Sequence, residues 1–574
     1  MLRRDIKTLA YYYILCFVED RDRTKKKPAS SSEKGTTMHV HRRTFLGGMG
    51  ALMVSGSLLS SGKVLAAEKD GTLTLGFASE TSSMDPHWHI VTANSSVAQH
   101  IFDRLVHLDE TQNPVPALAT EWKAIDDLTW EFKLREGAKF HNGDPVTPED
   151  IIFSYQRAQN VPGAIFNMRA YLADKTFEKV DDRTVLVKTA KPNPIVPNEL
   201  STIAIISMKV GEGAITNDYN NGKATIGSGP YRFVEYVPGA RVVLERNEEY
   251  WGEKPDWKRV VIQPIPVGGA RVAAIQSLNT DVVDNIPPAD IAHLEGASGV
   301  SLVKSVANRM VFLSMDQGRK TSPFVRGNDG SEIPNVFLDH RVRQAIDIAI
   351  DKTAIASRIL EGNGAPAEQL VPKGIFGFNP AIALPKADTT KAKALLAEAG
   401  LPDGFKLTLH GPNDRFIRDA AVVQAVAQML TRIGIKVEVE TMPGNVFYKR
   451  ASGGGPEGGS EFSFFLVGYG AATGEVSGAL RNVIHTFDKE SGLGSNNRTR
   501  YSNPEIDALI QEGMRTIDDA KRLAIYQDAC AKAMAGIAIV PLYYPISVWG
   551  TAANLRFPGR SDERTLAMDF SIAN

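Results

Sequence analysis

Cysteine is almost absent from this chain. Its 574 residues include two, Cys16 and Cys530. Cys16 falls in a segment read below as lying ahead of the mature protein, which leaves Cys530 alone. A disulfide within the mature chain is excluded, and so is a cysteine-built zinc site. Net charge is nearly absent too: 65 basic residues face 66 acidic ones. The basic excess expected of a nucleic-acid binder or an anionic-membrane binder is missing. The leading apolar stretch, LAYYYILCFV, is too short to span a bilayer, and no later stretch approaches the required length. Local catalytic signatures are also lacking. There is no G-x-S-x-G, no H-E-x-x-H and no P-loop. The segment GNGAPA (362–367) fits G-x-G-x-x-A formally, but it follows a helix pattern and carries a proline in the turn. His87 and His89 stand two apart without further ligands nearby, and read as partly exposed loop histidines rather than a metal site. Catalytic triads need not be local in sequence, so an exported hydrolase stays as the alternative reading.

What is present is the composition of a globular protein, 43% hydrophobic and 23% charged. The length calls for two or three domains. The segment HRRTFLGGMGALMVSGSLLSSGKVLAAE has paired Arg42-Arg43, a weakly apolar Gly/Ser-rich run, then small residues at Ala66 and Ala67. That is the layout of a secretory signal, of the twin-arginine kind that exports folded cargo. Met38 is the better start, with 1–37 an upstream extension and 38–66 the signal peptide. The mature protein is expected in the periplasm, soluble.

Three strands end in small or polar residues. GTLTLGF (71–77) alternates Leu73, Leu75 and Phe77, then gives ASETSSMDP. FKLTLH (405–410) alternates Phe405, Leu407 and Leu409, then gives GPNDR. FSFFLV (462–467) is a continuous apolar run that breaks into GYGAATGEV. The middle one opens a βαβ unit. AVVQAVAQMLTRIG has one apolar helical face and Gly434 at its end, and IKVEVETM alternates again. Ligands of open α/β sheets bind beyond the carboxyl ends of strands, so these ends form the candidate surface. Arg415 is expected in the first helical turn after Asn413. A cation there is disfavoured by about 0.3–1 kcal/mol, and a ligand carboxylate clamped by it would offset that. Helices are also expected at TPEDIIFSYQRA, capped by Thr147, at LDHRVRQAIDIAI, capped by Asp339, and at SNPEIDALIQEGM, opened by Ser502 or Asn503 ahead of Pro504. Cys530 lies in a helical pattern as a small core residue. The Gly-rich stretch 452–461 is expected as a flexible surface loop.

Taken together, ALATEWKAIDDLTWEFKLREGAKFHNGDPVTPEDIIFSY, IGSGPYRFVEYVPGARVVLERNEEYWG, LDHRVRQAIDIAIDKTAIASRIL and RYSNPEIDALI resemble blocks of the family-five extracellular solute-binding proteins of ABC importers. The similarity covers 71–560. It implies an α/β, two-lobed periplasmic-binding-protein fold of the large peptide-binding class, with an extra subdomain in the first lobe. The implied division is 67–110, 227–307 and 539–574 in lobe I, 111–226 as the inserted subdomain, and 308–538 as lobe II. It implies a monomeric, non-catalytic receptor without cofactor, metal or nucleic acid. Such a receptor captures a peptide-like solute by hinge closure and delivers it to an inner-membrane permease. An opine, a sugar or a metal chelate is the alternative cargo.

The resemblance also marks residues. Peptide-binding members carry an aspartate that grips the ligand's amino group, three residues past an aromatic. Here Tyr469 fills the aromatic position, but Ala472 stands in place of the aspartate. The stretch Thr473-Gly474-Glu475 is similar to the glutathione-binding branch, so Glu475 is expected to take over as the anionic partner. Glu80 matches an acidic ligand-contacting position. Glu80, Arg415, Tyr469, Thr473 and Glu475 are the candidate ligand residues.

Overall fold

The structure, a computed structural model, describes residues 71–165, 168–455 and 458–573. The expected signal peptide and upstream extension lie outside the described residues, as does the centre of the Gly-rich loop 452–461.

One strand organises the molecule. Val540–Ala552 is 13 residues long and belongs to both halves of a 13-stranded sheet. Its beginning pairs antiparallel with Arg309–Met315 (Leu313 opposite Val540). Its end pairs antiparallel with Val300–Val306 (Val300 opposite Ala552) and with Val282–Val283. The strands 300–306 and 309–315 follow one another, broken only at Ala307 and Asn308. Two chain segments therefore join the lobes. They are tied together by the Ala307 amide, which donates to the Pro545 carbonyl at 2.9 Å.

In the first lobe, Thr72–Phe77 lies parallel to Arg259–Pro264 and Val282–Val283. The hairpin of Tyr231–Val237 and Arg241–Arg246 completes that edge. In the second lobe, Phe464–Gly470 pairs antiparallel with Arg309–Met315. The expected βαβ unit is present there. Lys406–Pro412, the helix Asp419–Thr431 and Lys436–Met442 follow in order, with the two strands parallel (Leu407 opposite Val437). Gly434 takes φ +99°, a left-handed turn that a side chain would strain. The expected caps are in place at Thr147, Asp339 and Asn503.

These pairings fix directions. Lys406–Pro412 and Phe464–Gly470 run parallel to the crossing strand, whereas Thr72–Phe77 runs against it. All three carboxyl ends consequently point at the junction between the lobes.

The apolar run of the second lobe is explained by burial on both faces. Phe464 and Leu466 join one core with Val311 and Leu313; Phe465 and Val467 join another with Met310 and Phe312. The strand is Phe464–Gly470 rather than 462–467: pairing with Arg309–Met315 carries it through the glycines. A separate four-stranded antiparallel sheet, Ala119–Asp126, Thr129–Leu134, Thr184–Thr189 and Lys175–Asp181, has its own core around Phe132, Tyr155, Val185 and Ile203.

His87 differs from expectation. It is fully buried, held by the Ala204 carbonyl at 2.9 Å and by Arg157 at 3.1 Å. Arg157 also grips Asp85 with both terminal nitrogens, at 2.9 and 2.7 Å. Among the described residues no group of three or more His, Cys, Asp or Glu is placed to hold a metal ion, and no helix is long and apolar enough to cross a membrane.

Candidate functional site

The first-lobe side of the junction is a short pinned segment. Asp284 accepts from the Ala78 amide at 2.6 Å, and the Tyr236 hydroxyl donates to the Thr81 carbonyl at 2.8 Å. Between these anchors Ser79 and Glu80 are exposed. Glu80 lines a shallow notch with Phe77, Tyr236 and Gly239.

The second-lobe side is built on the strand end. At Gly468 a side chain would begin 2.8 Å from the Phe416 ring, so only glycine leaves that aromatic its place over the strand. Tyr469 is half-buried, and its phenol oxygen accepts from Asn482 Nδ2 at 2.8 Å. Asn482 also donates to the Gly478 carbonyl at 2.9 Å, which fixes the amide and with it the ring. Past the strand, residues 471–475 form a loop held from outside the second lobe's core. Asn308, between the crossing strands, donates to the Ala471 carbonyl at 3.2 Å. Asn198, from beside the separate four-stranded sheet, donates to the Thr473 carbonyl at 2.9 Å. Thr473 is buried, and Gly474 (φ +74°) lies against Gln112.

Glu475 turns inward. It is 2% exposed, and its carboxylate faces Arg522 Nη2 at 3.4 Å. Burial raises its pKa, while Arg522 and Ser477 act the other way. The contact is long for a charge-assisted bond, so desolvation dominates.

Arg415 is exposed and sits before the helix, not in its first turn. The helix begins at Asp419, whose carboxylate accepts from the Arg415 and Phe416 amides at 2.9 and 3.0 Å. The helix thus starts four residues further on, behind Arg418 in a left-handed conformation, which removes the dipole argument at Arg415. The guanidinium instead leans over the Phe416 ring, 5.5 Å from its centre. Tyr469, Thr473 and Glu475 thus share one strand end and loop, with Arg415 on the neighbouring strand's loop and Glu80 across the junction. Glu475 is buried in this arrangement, whereas Arg415 is exposed. The three asparagines that hold the loop and the ring, Asn198, Asn308 and Asn482, carried no sequence signal, being scattered through the chain in unrelated segments.

Comparisons with known proteins agree with this architecture. Residues 113–491 match the model of the bacterial extracellular solute-binding proteins, family 5 Middle. The chain is 27% identical to heme-binding protein A of Haemophilus influenzae over 469 residues, 76% of this chain and 80% of that protein. It is 28% identical to the glutathione-binding protein GsiB of Pectobacterium atrosepticum over 470 residues, 81% of this chain and 86% of that protein. The solved structure of HbpA2 from Haemophilus parasuis superposes with a TM-score of 0.76 at 23% identity, covering 88% of this chain and 100% of the other. The family match spans well over half of the sequence, and the chain therefore belongs to the bacterial extracellular solute-binding proteins of family 5.

Proposed function

We propose that the chain is the exported receptor of an ABC importer, which closes on a peptide-like solute and passes it unchanged to an inner-membrane permease. The observation that carries this reading is geometric: strand ends of both lobes face one junction, and among the described residues two chain segments join the lobes there. Such a join allows rotation of one lobe on the other, the hinge closure by which ligands are enclosed. Similarity to a glutathione-binding protein supports a peptide-like cargo. Export by the twin-arginine route, a periplasmic location and a monomeric state belong to the same proposal, as does the absence of catalysis. So do a lobe I of 67–110, 227–307 and 539–574, a subdomain of 111–226 and a lobe II of 308–538.

In this reading Glu80 is offered from one wall, and Tyr469, Thr473 and Arg415 from the other. Tyr469 gives a flat face and a polar tip, a combination suited to a polar ligand. Glu475 serves first to hold the 471–475 loop through Arg522, and meets a ligand amine only if that loop moves. Small-angle scattering with and without a bound solute, combined with the mass of the solute released afterwards, tests the reading. Compaction with an unaltered mass is expected; a released product would favour a hydrolase.

A further inference from the structure

Many buried or half-buried cations among the described residues have an acid beside them. Lys175 lies 2.7 Å from Glu199, Lys352 2.9 Å from Asp347, Arg157 2.7 Å from Asp85 and Arg560 2.9 Å from Asp562. Two that do not, Arg271 and Arg343, are filled by three main-chain carbonyls each. Arg498 has neither arrangement, as is also true of Arg104, Arg135 and Arg232, which reach Gln99, the Ala117 carbonyl and Asn247 respectively. The Arg498 guanidinium is half-buried and, among the described residues, has no carboxylate partner. Nε donates to Ser452 Oγ at 2.9 Å, and one terminal nitrogen to Asn496 Oδ1 at 2.9 Å. The other reaches a single carbonyl, that of Asn496, at 3.4 Å.

The surroundings point to a ligand. Tyr448, on the helix Gly444–Gly453, has its ring centre 5.8 Å from the guanidinium. Tyr469, at the end of the Phe464–Gly470 strand, also acts electrostatically on this charge. An arginine has five N–H donors in a planar fork. Three are engaged here, which leaves one on each terminal nitrogen. Ser452 and Asn496 orient the fork but supply no charge. Burial lowers the pKa of this arginine, in keeping with a cation short of a counter-ion.

We propose that Arg498 is the anion-recognising residue of the cleft: it pairs with a carboxylate of the captured solute, which lies between the rings of Tyr448 and Tyr469. This rests on the receptor reading and adds to it that the cargo carries a carboxylate. Arg498 is also separate from Arg415, which is exposed and lies on another loop.

The test uses matched probes on the purified full chain, by calorimetry: trialanine against trialanine amide, glutathione against its diethyl ester, and haemin against its dimethyl ester. A charge-assisted pair contributes roughly ten- to a hundredfold in affinity. Wild type should prefer the free carboxylate of its ligand by that factor. Arg498→Gln should bring the preference within about twofold, by weakening the free acid far more than the neutral analogue. Arg498→Lys keeps the charge without the fork and should restore part of the preference, which also guards against a folding defect in the glutamine variant. A preference that survives in both variants, or is absent from wild type, overturns the assignment while the receptor reading stands. Binding of haemin alone, with Arg498 dependence, keeps the anion site and overturns the peptide reading. Failure of every probe to bind counts against both.

Discussion

At the scale of single residues, the question is what each charge faces. Glu475 has a buried guanidinium as its neighbour, and Arg522 has a second acid, Asp519, at 2.8 Å. Removing one member of a buried ion pair leaves the other uncompensated, which costs about 3–5 kcal/mol when nothing replaces it. Because Asp519 remains, Glu475→Ala should cost nearer the lower figure, about 3 kcal/mol, and Glu475→Gln less. Urea unfolding reads both. An alanine variant as stable as wild type would show that the pair does not support the loop.

Histidines held below their ordinary pKa set a pH response, His87 and His100 among them. His100 donates from Nδ1 to the Ser96 carbonyl at 2.7 Å and accepts at Nε2 from the Ala567 amide at 2.9 Å. A second proton would set N–H against N–H. His87 likewise receives Arg157 on its free nitrogen. Burial holds both at about 4, below the ordinary 6.5. Their folded pKa values are depressed, so the stability they contribute is present above pH 6.5 and is lost as pH falls towards 4. Two such groups amount to roughly 4 kcal/mol by pH 5. Asp103 works in the other direction. Burial pushes its carboxyl up to about 7 despite bonds from Trp251 and Tyr250. Its share is therefore lost as pH rises towards 7, and Asp284, pushed up to about 6 by burial, acts the same way, while His107 and His141, held by burial at about 3 and about 4, add to the histidine side. The urea midpoint should be lower at pH 5 than at pH 6.5; equal midpoints would contradict this.

At the scale of elements, alternation and capping made much of the fold legible. The βαβ unit from Lys406 to Met442 follows from alternating strands around one apolar helix face. Thr147, Asp339 and Asn503 announce their helices because a short polar side chain satisfies the first free amides. Other features depend on tertiary partners that the local sequence does not reveal. Gly468 to Gly470 reads as a break, yet pairing with Arg309–Met315 extends the strand through it. The crossing strand contains Pro541 and Pro545, which argue against a central strand. It persists because Pro545 lies where its partners change, and its carbonyl still accepts from Ala307. Of the candidate site, the strand ends were legible. The facing of Glu475 was not, since Arg522 lies on a helix 47 residues away in sequence. At Gly468 the fold makes its own demand. Gly468→Ala would press on the Phe416 ring, and overpacking of this kind costs about 1–3 kcal/mol. The variant should unfold at lower urea, and Phe416→Ala should relieve the clash in the double variant.

At the scale of the whole molecule, two strand segments join the lobes among the described residues, and polar side chains bridge them. Asn308 sits between the crossing strands, buried, and reaches both the Ala471 carbonyl and Gln112. Asn198 adds a hydrogen bond from beside the separate four-stranded sheet. A junction crossed by two strand segments suits a protein that changes shape with its ligand. The central claim is that the lobes close on a solute about this junction. The most direct test is the radius of gyration from small-angle scattering, measured on the same sample before and after saturation with a solute that calorimetry shows to bind. A smaller radius with solute present is expected, with the solute recovered at its original mass. An unchanged radius at full occupancy would contradict the account.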